Sequence, residues 1–149
     1  MSNLCEHECV IAIEDWQMQC CGTTFTVGEK VEWIVHEFGK PSEVTGRMVE
    51  YYYEQHSSDW QELFMVIGVV AEINALFCSY EQRPNEYGNK QGFVRYPIYE
   101  KAVDVNTAYG CADSDGWYED IDGLEFGEYE VTLRNCIIRP AKESEVTFS

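Results

Sequence analysis

The stretch LFMVIGVVAEINALFCSY, Leu63 to Tyr80, constrains what this chain can fold into more than any other. Val69, Ala71, Ile73, Ala75 and Phe77 recur at every second position, which is the period of an extended strand and not of a helix. Gly68 falls where a bulge or a close backbone approach would need it. One long, bent strand is the reading, and such a strand needs several others beside it.

The rest of the chain supplies them. Val10-Ile11-Ala12-Ile13 is a short β-branched run and reads as a first strand. After Gly22-Thr23-Thr24, the positions Phe25, Val27, Val31, Trp33 and Val35 mostly alternate with polar residues, and Gly28-Glu29 is a turn or bulge between them. Gly39-Lys40-Pro41-Ser42 is loop-like by composition. VTGRMVEYYYEQH is open to strand or helix, and Ser58 or Asp59 suits the cap of a short helix near Trp60. Arg83 to Asn89 reads as an exposed loop, and Pro97 marks FVRYPIYEKAVDV as an edge strand. YEVTLRNCIIRP gives two closing strands split at Arg134-Asn135. The expected fold is mostly β: a small curved β-barrel or roll, SH3-like or OB-like in size, with at most one short helix. One domain over residues 1–140 and a tail over 141–149 complete the expectation.

At 149 residues the chain is long enough to bury a core without staples. Its formal charge of −17 repels phosphate backbones and argues against nucleic-acid binding. No apolar run reaches bilayer-crossing length, and MSNLCEHECV lacks the basic and apolar regions of a signal peptide, so a cytoplasmic location is expected. Seven cysteines, an odd number, then read as reduced thiols, with Cys78 and Cys136 in apolar runs as core residues.

Several constellations invite a chemical reading. Cys20-Cys21 with His56 is the candidate metal or thiol site, with zinc as the ion, yet adjacent cysteines diverge on a strand and their neighbours Glu14 and Asp15 oppose an activated thiol. Cys5, His7 and Cys9 alternate as a possible metal comb. His36, and His56 with Asp59, are the candidate bases, but no nucleophile motif accompanies them. DSDGWYEDIDG fails the EF-hand pattern in both registers, because neither places acids at both ends. Between Asp113 and Glu130 stand eight acids and no base, which reads as a solvated acidic loop or as a surface for a cationic partner.

Together these features point away from an enzyme and toward an acidic interaction module. Its binding residues would be Trp16, Trp60 and Trp117 as aromatic anchors with Asp113, Asp115, Glu119, Asp120 and Asp122 as charged ones, and its partner a protein, a basic or immunity-type one in particular. The alternatives are the Cys20/Cys21/His56 protein and a small-molecule-binding barrel with Tyr51, Tyr52 and Tyr53 at its mouth.

The segment DWQMQCCGTTFTVGEKVEW, Asp15 to Trp33, resembles an uncharacterised family of short bacterial proteins that share Trp-Gln-x-Gln-Cys-Cys-Gly followed by Phe-x-Val-Gly-x-x-Val-x-Trp. Trp16, Gln17, Gln19, Cys20, Cys21, Gly22, Phe25, Val27, Gly28, Val31 and Trp33 carry the likeness. The resemblance implies a bacterial, cytoplasmic protein of unassigned activity and supplies no catalytic residues.

Overall fold

A computed structural model describes residues 8–15, 17–18, 23–42, 44–54, 60–84, 93–110 and 118–145, except the side chains at 60, 83–84 and 93–95. These residues form strands β1 (Glu8–Glu14), β2 (Phe25–Thr26), β3 (Lys30–Pro41), β4 (Met48–Tyr53), β5 (Phe64–Pro84), β6 (Phe93–Val105), β7 (Thr107–Ala108) and β8 (Glu125–Pro140). Among the described residues, helical structure is confined to Asp15, Gln17 and Met18 and to 3-10 turns at Trp60–Glu62 and Glu143–Glu145. The fold is mostly β, as the alternating patterns require.

The main sheet has the order β3-β4-β1-β8-β5-β6. It curls until β3 also meets β5, closing a ring of five strands with β6 left outside as an edge. Val35 is the hinge of the closure: it lies opposite Tyr53 of β4 and opposite Phe64 of β5. Among the described residues the one parallel pairing in the sheet is β1 with β4, at Ile11 and Ala12 against Tyr51 and Tyr52. Pro97 sits on β6, where a missing N–H costs no ladder bond on the free side.

Fully extended, the 21 residues of β5 would span roughly 70 Å, more than a domain this size can cover. The strand bends instead, with register shifts between Ile67 and Val69, between Val70 and Glu72, and between Leu76 and Phe77. Gly68 serves the first of these. A Cβ there would stand 3.2 Å from the Leu133 Cβ, 3.2 Å from the Arg134 carbonyl oxygen and 3.3 Å from the Cys136 Sγ. The shift after Val70 also changes which residues face inward. Val70, Ile73, Ala75 and Phe77 belong to the core, whereas Val69 and Ala71 are only half-buried. Val70 spends its own backbone groups on the β2–β3 turn, accepting from Gly28 N at 2.8 Å and donating to Glu29 O at 2.9 Å.

Two further expectations are corrected. Lys40 and Pro41 do not form a loop: they continue β3 beyond a bulge at positive-φ Gly39, because Val49 and Met48 of β4 offer them a ladder. The closing residues are one strand, β8, in which Asn135 at φ 56° makes a bulge where a break was expected. That bulge inverts the inward parity from Tyr129, Val131 and Leu133 to Cys136 and Ile138. Beyond β8, Ala141 is buried and its N–H donates to Leu63 O at 3.0 Å, while Arg139 pairs with Glu145.

The core fills the ring with Ile11, Ile13, Val35, Val66, Ile73, Phe77, Tyr129, Val131 and Leu133. Trp33 leans on it between Phe25 and Tyr53, with centroids 4.9 and 5.7 Å away. The buried Tyr129 hydroxyl needs partners and has them. It accepts from Tyr109 N at 3.2 Å and bonds the Tyr118 hydroxyl, which donates to Thr107 O at 2.6 Å. Tyr129→Phe breaks two links of this chain and leaves the half-buried Tyr109 N–H without its acceptor. It is expected to lower unfolding free energy by about 2 kcal/mol in urea titration, with the slope unchanged.

Candidate functional site

The sequence FGEYEVTLR, Phe126 to Arg134, alternates two kinds of residue along β8. Tyr129, Val131 and Leu133 enter the core, so Glu128, Glu130 and Thr132 point to the other side of the sheet. An outward carboxylate ordinarily meets water. Here Glu128 is only 8% exposed and Glu130 only 3%.

The cover comes from the hairpin joining β3 to β4 and from β6. Ser42 builds the hairpin turn, its Oγ accepting from Val44 N and Thr45 N and its own N–H donating to Arg47 O at 2.7 Å. The turn delivers Thr45 and Arg47 onto β8. Thr45 Oγ1 donates to Glu130 Oε1 at 2.7 Å, and Arg47 donates to Thr132 Oγ1 at 2.9 Å while pairing with Glu72 at 2.7 Å. From β6, the Tyr99 hydroxyl bonds Glu128. Tyr99 can lie so close because residue 127 is glycine: a Cβ there would stand 2.8 Å from the end of the Tyr99 ring.

Between hairpin and sheet remains a cleft of about 260 Å³, with Glu128 and Glu130 in its lining beside Tyr52, Tyr99, Pro97, Phe38 and Lys40. Tyr52 stacks on His36 at 5.7 Å and meets Phe38 edge-on at 4.5 Å. The Lys40 ammonium stands 5.6 Å over the Phe38 ring, a cation on an aromatic face. Among the described residues neither glutamate is in an ion pair.

Burial pushes the Glu128 carboxyl up to about 8, and the carboxylates of Glu130, Glu14 and Asp15 push the same way against the bond from Tyr99. Burial and the neighbouring carboxylates raise the Tyr99 and Tyr52 phenols as well. The site therefore holds a proton near neutral pH. A further groove of about 590 Å³ runs beside Arg47 and Glu72, whose carboxyl the guanidinium holds below its ordinary range. Among the described residues no three His, Cys, Asp or Glu side chains converge as a metal ion requires.

The profile of one family matches residues 7–135. The chain belongs to DUF6578, a family of unknown function. The DUF6578 match takes in β1 through the bulge of β8, and so contains Lys40, Tyr52, Tyr99, Glu128 and Glu130. No curated protein and no solved structure matches.

Of the residues singled out from sequence, Trp16, Asp113, Asp115, Trp117, Cys20, Cys21 and His56 lie outside the described residues, as does the side chain of Trp60. Glu119 and Asp120 are exposed. Asp122 is exposed too, pairs with Lys101 at 3.3 Å, and with Gly123 forms the positive-φ centre of a tight turn bridging Ile121 and Leu124. The acidic loop is corrected at its C-terminal end, since Glu125 and Glu128 belong to β8 together with Glu130. The three tyrosines separate: Tyr53 is buried beside Trp33, Tyr51 packs toward Phe64, and Tyr52 lines the cleft. Glu128 and Glu130 were missed as a site, although their alternation with Tyr129 and Val131 is plain in the sequence.

Proposed function

We propose that this DUF6578 protein is a non-enzymatic binding module that takes a cationic side chain of a protein partner, a lysine ammonium in the first instance, into the Glu128–Glu130 cleft. One observation carries the reading: two neighbouring carboxylates lie more than nine-tenths buried in an aromatic-walled cleft, neither in an ion pair with a described residue. An ammonium supplies the missing charge, and Tyr52 and Phe38 offer faces to its methylene stem. At about 260 Å³ the cleft is small for a drug-sized ligand and suits a single side chain. Phe38 at the rim, 38% exposed, gives the partner an apolar contact.

The formal charge of −17 favours the same class of partner, a basic protein, and speeds its encounter. The free thiols of Cys9, Cys78 and Cys136 suit a reducing bacterial cytoplasm, which is where we place the protein. A free small amine is the second reading, favoured by Tyr52 in the cleft wall. Titration of the chain with a lysine-rich decapeptide, followed by NMR, distinguishes the outcomes. Peptide binding that perturbs Tyr52 and Tyr99, and that weakens by more than about tenfold from 50 to 500 mM salt, supports the proposal. Equal binding of the norleucine counterpart refutes it, and a response to butylamine alone favours the second reading.

A further inference from the structure

Cys9 and Cys136 are 127 residues apart in sequence, and their sulfurs are 3.2 Å apart in the fold. The approach is built by the backbone. Cys9 lies opposite Leu133 across the β1–β8 ladder, and both face the core. Regular alternation from Leu133 would turn residue 136 away. The bulge at Asn135 restores it to the inward side, and Gly68 leaves the room its sulfur occupies. Two features of the chain, a left-handed asparagine and a glycine on the neighbouring strand, thus converge on one sulfur.

We propose that Cys9 and Cys136 are a redox-active dithiol that closes to an intramolecular disulfide by exchange with a low-molecular-weight disulfide such as oxidised glutathione. The two sulfurs have different parts. Cys136 is half-buried and therefore the one an incoming disulfide can reach, and the bond from the Cys9 thiol favours its ionisation. Cys9 is buried, and that bond together with burial holds its proton on. Glu50 and Glu8 face the pair and oppose ionisation at Cys136, so the Cys9 bond works against them.

In the first step Cys136 gives its proton to solvent and its sulfur attacks one sulfur of the glutathione disulfide, expelling one glutathione thiolate. In the second, Cys9 loses its proton and attacks Cys136 Sγ, expelling the other. Two protein thiols are oxidised to one disulfide, and one glutathione disulfide is reduced to two thiols, with the released protons balancing the leaving thiolates. Bonding distance is about 2.05 Å, so the sulfurs must close by roughly 1.2 Å. The product ties β1 to β8 at the edge of the ring, joining strands distant in sequence.

The full reduced chain, equilibrated with graded mixtures of oxidised and reduced glutathione, alkylated and mapped by peptide mass spectrometry, tests the assignment. The expected product is a Cys9–Cys136 cross-link that forms ahead of any pairing among Cys5, Cys20, Cys21, Cys78 and Cys111 and is reversed by reduced glutathione. Its formation should raise Tm by roughly 10 °C. In Cys9→Ser the reaction should stop at a mixed disulfide on Cys136. If both thiols remain alkylatable while another pair oxidises, or if no protein disulfide forms, the inference is overturned. The wild-type measurement needs no variant to fold.

Discussion

Glu128→Gln should remove a pH-dependent loss of stability that the wild-type protein shows between about pH 5 and pH 8. The Glu128 carboxyl has an ordinary value of 4.5 and is raised to about 8 in the fold. Between those values the folded state binds the proton and the unfolded state has released it, so stability falls as pH rises through the window and levels off above it. Burial is the main cause. Glu130 on β8, Glu14 at the end of β1 and Asp15 just after it add like charge, while Tyr99 of β6 opposes the shift and Tyr52 of β4 and Lys40 of β3 line the same cleft. Glutamine keeps the shape and the acceptor for Tyr99 but never carries charge. At pH 9 the variant should be more stable than wild type by about 3 kcal/mol, and near pH 4.5 the two should agree. Urea unfolding at five or six pH values measures the difference, in which the pH response of the other carboxylates cancels. Parallel curves at every pH would mean that Glu128 meets water in the folded protein.

The second large effect is expected at Gly127. An alanine Cβ there meets the Tyr99 Cε1 and hydroxyl at 2.8 Å and the Cys78 Sγ at 3.2 Å. The end of the tyrosine ring is the part able to move, so Gly127→Ala should swing Tyr99 off Glu128 in preference to shifting β8. The cost is about 2 kcal/mol for overpacking and the lost hydrogen bond. The swing also has an electrostatic signature. The Tyr99 bond holds the Glu128 carboxyl down, so its loss should carry that titration above its wild-type midpoint. Carbon NMR of the Glu128 side chain reads the midpoint directly. A destabilised variant with an unchanged Glu128 titration would show that Tyr99 packs on β8 without bonding the carboxylate.

Much of the fold can be read from the chain because the β-branched run of β1, the alternation of β3 and that of β5 from Ile73 to Phe77 are written in neighbouring residues. Pairing is not written there. Lys40 and Pro41 have the composition of a loop and become strand because β4 lies alongside. Cys136 faces inward only because β8 bulges at Asn135 against Gly68, and the parity of that segment depends on a strand some 70 residues earlier. The cleft was hidden for another reason. Counting acids from Asp113 to Glu130 treats them alike, whereas strand parity sends Glu128 and Glu130 under the β3–β4 hairpin, and Glu119 and Asp120, which precede β8, stay in solvent. Burial by a hairpin that contributes Ser42, Thr45 and Arg47 is a tertiary fact, and it turns two ordinary glutamates into a candidate site.

The exchange of a proton for a cation is the most direct test of that site. Calorimetric titration of the lysine-rich decapeptide at pH 7, repeated in buffers of different ionisation enthalpy, counts protons released on binding. With Glu128 protonated near neutral pH and ionised when the ammonium arrives, close to one proton should be released per peptide bound, falling toward zero at pH 9 and in Glu128→Gln. Binding with no proton release at pH 7, or release that persists in Glu128→Gln, would contradict the account.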